Sequence, residues 1–219
     1  MSYTTHADLG GRPGFGAVVP EPESDLFHAA WEPHALALTL AVGATGTWNI
    51  DMSRAARETL PNYAELSYYE IWIAGLQRLL AERGLLLPDE AAAGRSLHAA
   101  MPVKRVLRAG DVASALAAGS PTLRTSAAAP RFGIGQRVRT CGEPVAHHTR
   151  LPAYARGKVG VVERLHGVHV FADAHAQGLG EQAQWLYTVA FDSAALWGDD
   201  ATRALTVSID AWDAYLKPA

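Results

Sequence analysis

The 219-residue sequence predicts an α+β chain, with a helical first half and a small β-barrel or half-open roll in the second. Three observations carry this. The first sixteen residues are glycine-rich and aperiodic, helical spacing of apolar residues runs from Ser24 to about residue 90, and short alternating runs separated by turns follow Pro130. The division is an extended arm over 1–23, a helical domain over 24–90, a connector with short helices over 91–130, and a small barrel over 131–219. An arm without periodicity, such as "MSYTTHADLGGRPGFG", depends for its order on something outside the chain's own core.

Each element follows from local signals. "SDLFHAAWEPHALALTLAVGATG" places Phe27, Trp31, Leu38 and Val42 at near-helical spacing, with a restart at Pro33 and closure by Gly43 and Gly46. "NIDMSRAARETLP" is a short polar helix capped by Asn49 or Asp51 and stopped by Pro61, with Arg54 and Glu58 four apart on one face. "SYYEIWIAGLQRLLAERG" is the strongest helix: Ser67 and Glu70 have capping-box spacing, Gly84 ends it, and its apolar stripe includes Ile71, Leu76 and Leu79. Tyr68 and Tyr69 are consecutive, so both cannot face inward. One presents its hydroxyl elsewhere. Five strands are expected in "QRVRT", "KVGVVERL", "VHVFAD", "QWLYTVAFD" and "LTVSID".

Composition excludes several classes. Hydrophobic residues make up 49%, ample for a core, and the formal charge of −3 argues against a protein that covers nucleic-acid phosphates. No apolar run approaches the roughly 18 residues of a membrane span. The single cysteine, Cys141, excludes a disulfide framework and every multi-cysteine metal site, and suits a reducing, cytoplasmic setting. No phosphate loop, Ser-His-Asp order or HExxH is present.

The densest cluster of chemistry-bearing residues is "VAHHTRLPAYARGKVGVV". Adjacent His147 and His148 would point to opposite faces on a strand and in a loop rarely chelate one ion, and they lack the return spacing of metal ligands; His166, His169 and His175 lie around a turn and a strand, where a surface zinc site would have nothing to orient its ligands. Solvated loop histidines are the expectation, with no metal site in this chain. Arg150 and Arg156 bracket "LPAY", where Pro152 stiffens the backbone. An arginine on such a loop is a pre-organised fork for a small oxyanion, and a solvated loop charge is the bland alternative.

Taken together, "DLGGRPGFG", "NIDMSRAARE", "YYEIW", "PRFGIGQRVR", "HTRLPAYARGKVG", "GLGEQAQWLYTVAFDSAALWG" and "VSIDAWDAYLKPA" resemble, in order and nearly end to end, the β subunit of nitrile hydratase. The resemblance implies an SH3-like barrel. It also implies an obligate α-subunit partner, assembly to an α2β2 heterotetramer, and hydration of a small-molecule nitrile to its amide. The metal, Fe(III) or Co(III), is held by a cysteine-rich motif of the α subunit whose cysteines are partly oxidised, and this chain binds none. In such a family two β-subunit arginines contact the oxidised cysteines; by motif they fall on Arg54 and Arg150. Glu58 and His148 match supporting hydrogen-bond positions, and Tyr68 matches a tyrosine that helps place substrate or water. Leu36, Ile50 and Trp72 match the apolar lining of the nitrile pocket, which favours a neutral substrate.

The sequence departs from the family where Ala146 and His147 replace a proline-glycine, where Ile71 replaces a histidine of some members, and in a shortened segment between Glu58 and Tyr68. Three alternatives stand beside this reading. An accessory protein that delivers metal to the α subunit is expected to lack the complete barrel. A thiocyanate hydrolase-like subunit is expected to split this region over two chains. A peptide- or nucleic-acid-binding barrel conflicts, in its nucleic-acid form, with the negative charge.

Overall fold

The structure is a computed structural model that describes residues 8, 10, 14–198 and 205–219. The chain divides into two compact units, Arg12–Gly119 and Met1–Gly11 with Ser120–Ala219.

The first unit is helical. Helix α1 spans Glu32–Gly43, α2 Ile50–Glu58, α3 Tyr68–Glu82, α4 Pro88–Ala93 and α5 Val112–Ala118. Pro33 does not interrupt α1. It lies in the first turn, where its missing N–H costs nothing, and the residues from Ser24 to Ala30 are turns and bends. Asn49 caps α2 by accepting from the Met52 amide at 2.8 Å, and Pro61 follows closely after its end. At α3 the Glu70 carboxylate accepts from the Ser67 amide at 2.7 Å, and Gly84 just beyond the helix takes φ +66°. That amide bond holds the Glu70 carboxyl below its ordinary pKa. The helices pack around Trp48, Ala56, Leu76 and Leu79. Burying a leucine such as Leu76 or Leu79 is worth about 1.5–3 kcal/mol.

One expectation for this unit is corrected. Of the stripe Phe27, Trp31, Leu38 and Val42, only Val42 packs against the helical core, and the other three stay exposed. Leu38 is 53% exposed and Trp31 42%, while α1 turns Glu32 and the small Ala35 inward. The physical reason is that α1 is apolar on nearly every side, so spacing alone does not choose a face.

The second unit is a sheet. Its strands are β1 Leu123–Arg124, β2 Arg137–Thr140, β3 Val159–His169, β4 Gln184–Asp192, β5 Thr206–Trp212 and β6 Leu216–Pro218, with short helices α6 Ala172–Ala176 and α7 Ser193–Trp197. The order is β5-β4-β3-β2-β6, with β1 paired to β3, and every pairing is antiparallel. The runs "KVGVVERL" and "VHV" form one strand. Register shifts at Val162/Arg164 and Leu165/Gly167, with Gly167 at φ +93°, bend it without breaking its pairing to β4. "FAD" leaves the sheet and enters α6.

Of the two forms expected, a small barrel or a half-open roll, the closed one is not formed: this is a six-stranded antiparallel sheet, and among the described residues β5 and β6 end its path without pairing to each other. The 3-10 turn Asp213–Tyr215 separates these consecutive strands, and β6 is three residues long and ends on a proline, which has no N–H to donate. The core beneath the sheet centres on Val138, Val162, Tyr187, Val189, Phe191 and Leu216.

Gly160 sits where this packing is tightest. A Cβ there would stand 2.7 Å from the Ala190 carbonyl oxygen and from Val189 Cγ1. We expect Gly160→Ala to cost about 1–3 kcal/mol, read as a lower urea midpoint for the sheet unit. An unchanged midpoint would contradict the packing described.

Candidate functional site

In the sheet unit, His148 and Arg150 lie on the loop between β2 and the 3-10 turn Ala153–Ala155. What shapes that loop is the Tyr215 hydroxyl. It accepts from the Arg150 amide at 2.9 Å and from the Thr149 hydroxyl at 3.1 Å, and donates to the Asp173 carboxylate. One donor and two acceptor sites are thereby all used. Burial and the adjacent Asp173 push the tyrosine's pKa far above its usual range, so it stays a donor. Arg150 itself is exposed, its backbone pinned from below.

Asp173, on α6, is 4% exposed. Desolvation raises its pKa, against the opposing pull of the Tyr215 and Thr149 hydrogen bonds and of nearby His147 and His148. The sign of the pH dependence follows. An unfolded carboxyl loses its proton near the ordinary value and the folded one at higher pH, so the folded chain binds more protons in between. Stability contributed by the protonated group is complete below the ordinary value and is lost as pH rises through the raised one. Asp173→Asn is expected to flatten that fall, measured as urea midpoints from about pH 4 upward. An equally steep fall in the variant would rule the group out.

The expectation of solvated histidines is corrected here. His148 is buried, His147 is half-buried with Nδ1 2.8 Å from the His148 carbonyl oxygen, His166 bonds the Thr188 hydroxyl at 2.6 Å, and His169 bonds that of Thr122 at 3.0 Å. Short polar loops and strand edges fold back on these rings, which residue identity does not reveal.

The two bracketing arginines differ. Arg156 is nearly buried and committed: it donates to Asp8 at 3.0 Å and to the Leu151 carbonyl at 3.2 Å, while Asp8 also accepts from the Ala153 amide at 2.6 Å. Asp8 thus ties part of the arm to the loop's far end within the chain itself. No local signal marks this pairing, since 148 residues separate the partners.

In the helical unit, α2 carries Ile50, Arg54 and Glu58, α3 begins with Tyr68 and carries Trp72, and α1 carries Leu36. Tyr68 is 64% exposed and Ile50 52%; Arg54, Glu58, Leu36 and Trp72 are half-buried. Tyr68 and Trp72 are brought together, with ring centroids 5.6 Å apart. Tyr69 is half-buried where Tyr68 is exposed, yet the two rings stay in edge contact at 5.1 Å, and Tyr69 also lies 5.6 Å from Phe27 and 5.9 Å from Trp72. Sequence reading missed Arg57, whose guanidinium carbon lies 4.5 Å from the Trp72 ring centroid. A signal existed in Gly75, an interior glycine in an otherwise strong helix, which marks close approach of a neighbour.

Among the described residues, no three of His, Cys, Asp and Glu are grouped to hold an ion. Cys141 is half-buried, its sulfur 3.5 Å from the Ala214 carbonyl oxygen. These donors do not fit a cysteine-rich metal centre.

The described residues thus form an α+β chain of a helical unit and an antiparallel six-stranded sheet, with Arg54 on the first and Arg150 on the second. The two sequence families that match are "Nitrile hydratase beta subunit, N-terminal" over residues 3–116 and "Nitrile hydratase beta subunit, C-terminal" over residues 121–218. The chain is 36% identical over 215 residues to the nitrile hydratase subunit beta of Pseudomonas putida, covering 97% of this chain and 98% of that one. It is 33% identical over 222 residues to the low-molecular weight cobalt-containing nitrile hydratase subunit beta of Rhodococcus rhodochrous, with 97% and 98% covered. Similarity to the thiocyanate hydrolase subunit alpha of Thiobacillus thioparus is 31% over 91 residues, 41% of this chain and 72% of that one. The chain belongs to the nitrile hydratase β-subunit family.

Proposed function

We propose that this chain hydrates nitriles to amides as one half of a complex whose α subunit holds the metal, iron or cobalt. The observation that carries the proposal is similarity to nitrile hydratase β subunits over 97% of the chain, through both units. The match to thiocyanate hydrolase stops at 41% of the chain, which makes that reading second. An accessory role is disfavoured by a match that runs through both the N-terminal and the C-terminal family regions. The SH3-like description of that sheet rests on the resemblance, with the bent β3 as the strand that turns its corner.

The role of this chain is positioning. Arg54 and Arg150 each offer a permanently charged planar fork to oxidised cysteines of the partner, where a paired donor outperforms a point charge. The Tyr215 hydroxyl holds the backbone from which Arg150 projects, with His148 packed in the same loop. Glu58 follows Arg54 by one helical turn. Tyr68 presents a hydroxyl for substrate or water, while Leu36, Ile50 and Trp72 give an apolar wall for a neutral nitrile. Exposed Leu38, Leu40, Ile50 and Tyr68 supply apolar surface of the kind an obligate partner covers. An α2β2 assembly in the cytoplasm completes the reading, in keeping with a single unpaired cysteine; no helix among the described residues is long and apolar enough to cross a membrane.

Elemental analysis of the purified chain tests the division of labour. Far less than one iron or cobalt per chain is expected, and one ion per chain would overturn it.

A further inference from the structure

Helices α2 and α3 meet through a contact that joins Arg57, outside the family-derived positions, to Trp72, which is one of them. The Arg57 guanidinium lies over the face of Trp72, its carbon 4.5 Å from the ring centroid. It is held there from its own helix: Nε donates to the Ser53 carbonyl at 3.1 Å and the terminal nitrogen to the Ser53 hydroxyl at 3.2 Å. The opposite helix makes room for it. A Cβ on Gly75 would stand 2.5 Å from Arg57 Cγ and 3.4 Å from its Cα and backbone nitrogen, so this crossing admits only glycine with the arginine where it is. The tyrosine rings of Tyr68 and Tyr69, at 5.6 Å and 5.9 Å, complete the surroundings of the indole.

We propose that Arg57 is a positioning residue that fixes the plane of the Trp72 indole and so sets which nitriles the subunit favours. The proposal rests on the reading of Trp72 as part of the pocket wall. A tryptophan is a flat plate, and its rotation changes the width of any cavity it borders. Partial burial strengthens a cation on its face relative to the same contact in water. Ser53 fixes the guanidinium and the guanidinium fixes the ring, so the wall is rigid toward one substrate width. Removing the cation frees the plate. Discrimination between a small aliphatic and a flat aromatic nitrile then weakens.

The test is made on the assembled, metal-loaded complex, with propionitrile and benzonitrile as probes and the ratio of their kcat/KM as the readout. Arg57→Met keeps length and loses charge, and is expected to move the ratio about threefold to tenfold toward equality. Gly75→Ala displaces the guanidinium with Arg57 intact and is expected to move it the same way. Arg57→Lys, which keeps a cation without the planar fork, is expected to fall between and serves if the methionine variant does not assemble. A merely structural role lowers turnover of both nitriles alike and leaves the ratio in place, which would overturn the inference. Trp72→Phe separates the two levels. If it moves the ratio and the Arg57 variants do not, Arg57 is excluded while the pocket stands. If it leaves the ratio unmoved, the pocket reading falls and this inference falls with it.

Discussion

Arg150→Lys, in a complex with its metal fully loaded, is expected to lower nitrile hydration at least about tenfold while leaving the chain folded and assembled. Arg54→Lys is expected to do the same. Lysine keeps the charge, so long-range attraction to an oxidised sulfur survives; what is lost is the pair of parallel N–H donors in fixed geometry. The fold should tolerate both changes. Arg150 is exposed, and the bond its backbone amide gives Tyr215 can be supplied by any residue but proline. Arg156 provides the internal control: its guanidinium is committed to Asp8 and Leu151, so Arg156→Lys should act on stability and on the seating of the loop. Steady-state kinetics beside melting curves separate these outcomes. Turnover unchanged by both Arg54→Lys and Arg150→Lys would remove the fork from the account.

Tyr215→Phe carries the second large effect. One hydroxyl serves the Arg150 amide, the Thr149 hydroxyl and the buried Asp173 carboxyl. Deleting it takes this partner from two donors, the Arg150 amide and the Thr149 hydroxyl, and from one acceptor, the Asp173 carboxyl, at about 1–3 kcal/mol for each buried group left unsatisfied. The variant should therefore melt lower, and its remaining folded fraction should hydrate nitriles poorly because the Arg150 backbone is no longer held. The decisive comparison is turnover below the melting transition. If Tyr215→Phe is destabilised and its folded fraction is as active as the unaltered complex, the tyrosine holds the fold and not the arginine.

Local chemistry was legible and long-range pairing was not. Asn49, Ser67, Glu70 and Gly84 announced the ends of α2 and α3 because caps are encoded within four residues of where they act. Leu76 and Leu79 fell on the buried face for the same reason of spacing. α1 misled, since a helix apolar on nearly every side has no preferred face until a neighbour supplies one. Strand positions were readable by alternation, yet β1 is two residues long and hid in the connector, and the bulges that join two runs into β3 depend on the partner strand β4. Closure of the sheet is a property of how edges meet, and nothing in the spacing of strands specifies it. The candidate positions Arg54, Tyr68, Trp72 and Arg150 came from motif resemblance. The groups that surround them, Arg57, Asp173, Tyr215 and Asp8, are partners in space, and of these only Arg57 leaves a trace in residue spacing, through the interior Gly75 it packs against.

The central claim is that this chain completes, and does not itself contain, a nitrile-hydrating centre. The most direct measurement is amide formation from a nitrile by this chain alone, by a cysteine-rich α subunit alone, and by the two co-purified with metal bound. Amide is expected from the co-purified pair and none from either chain. Amide produced by this chain by itself, or none from a fully metallated pair across small aliphatic and aromatic nitriles, would contradict it.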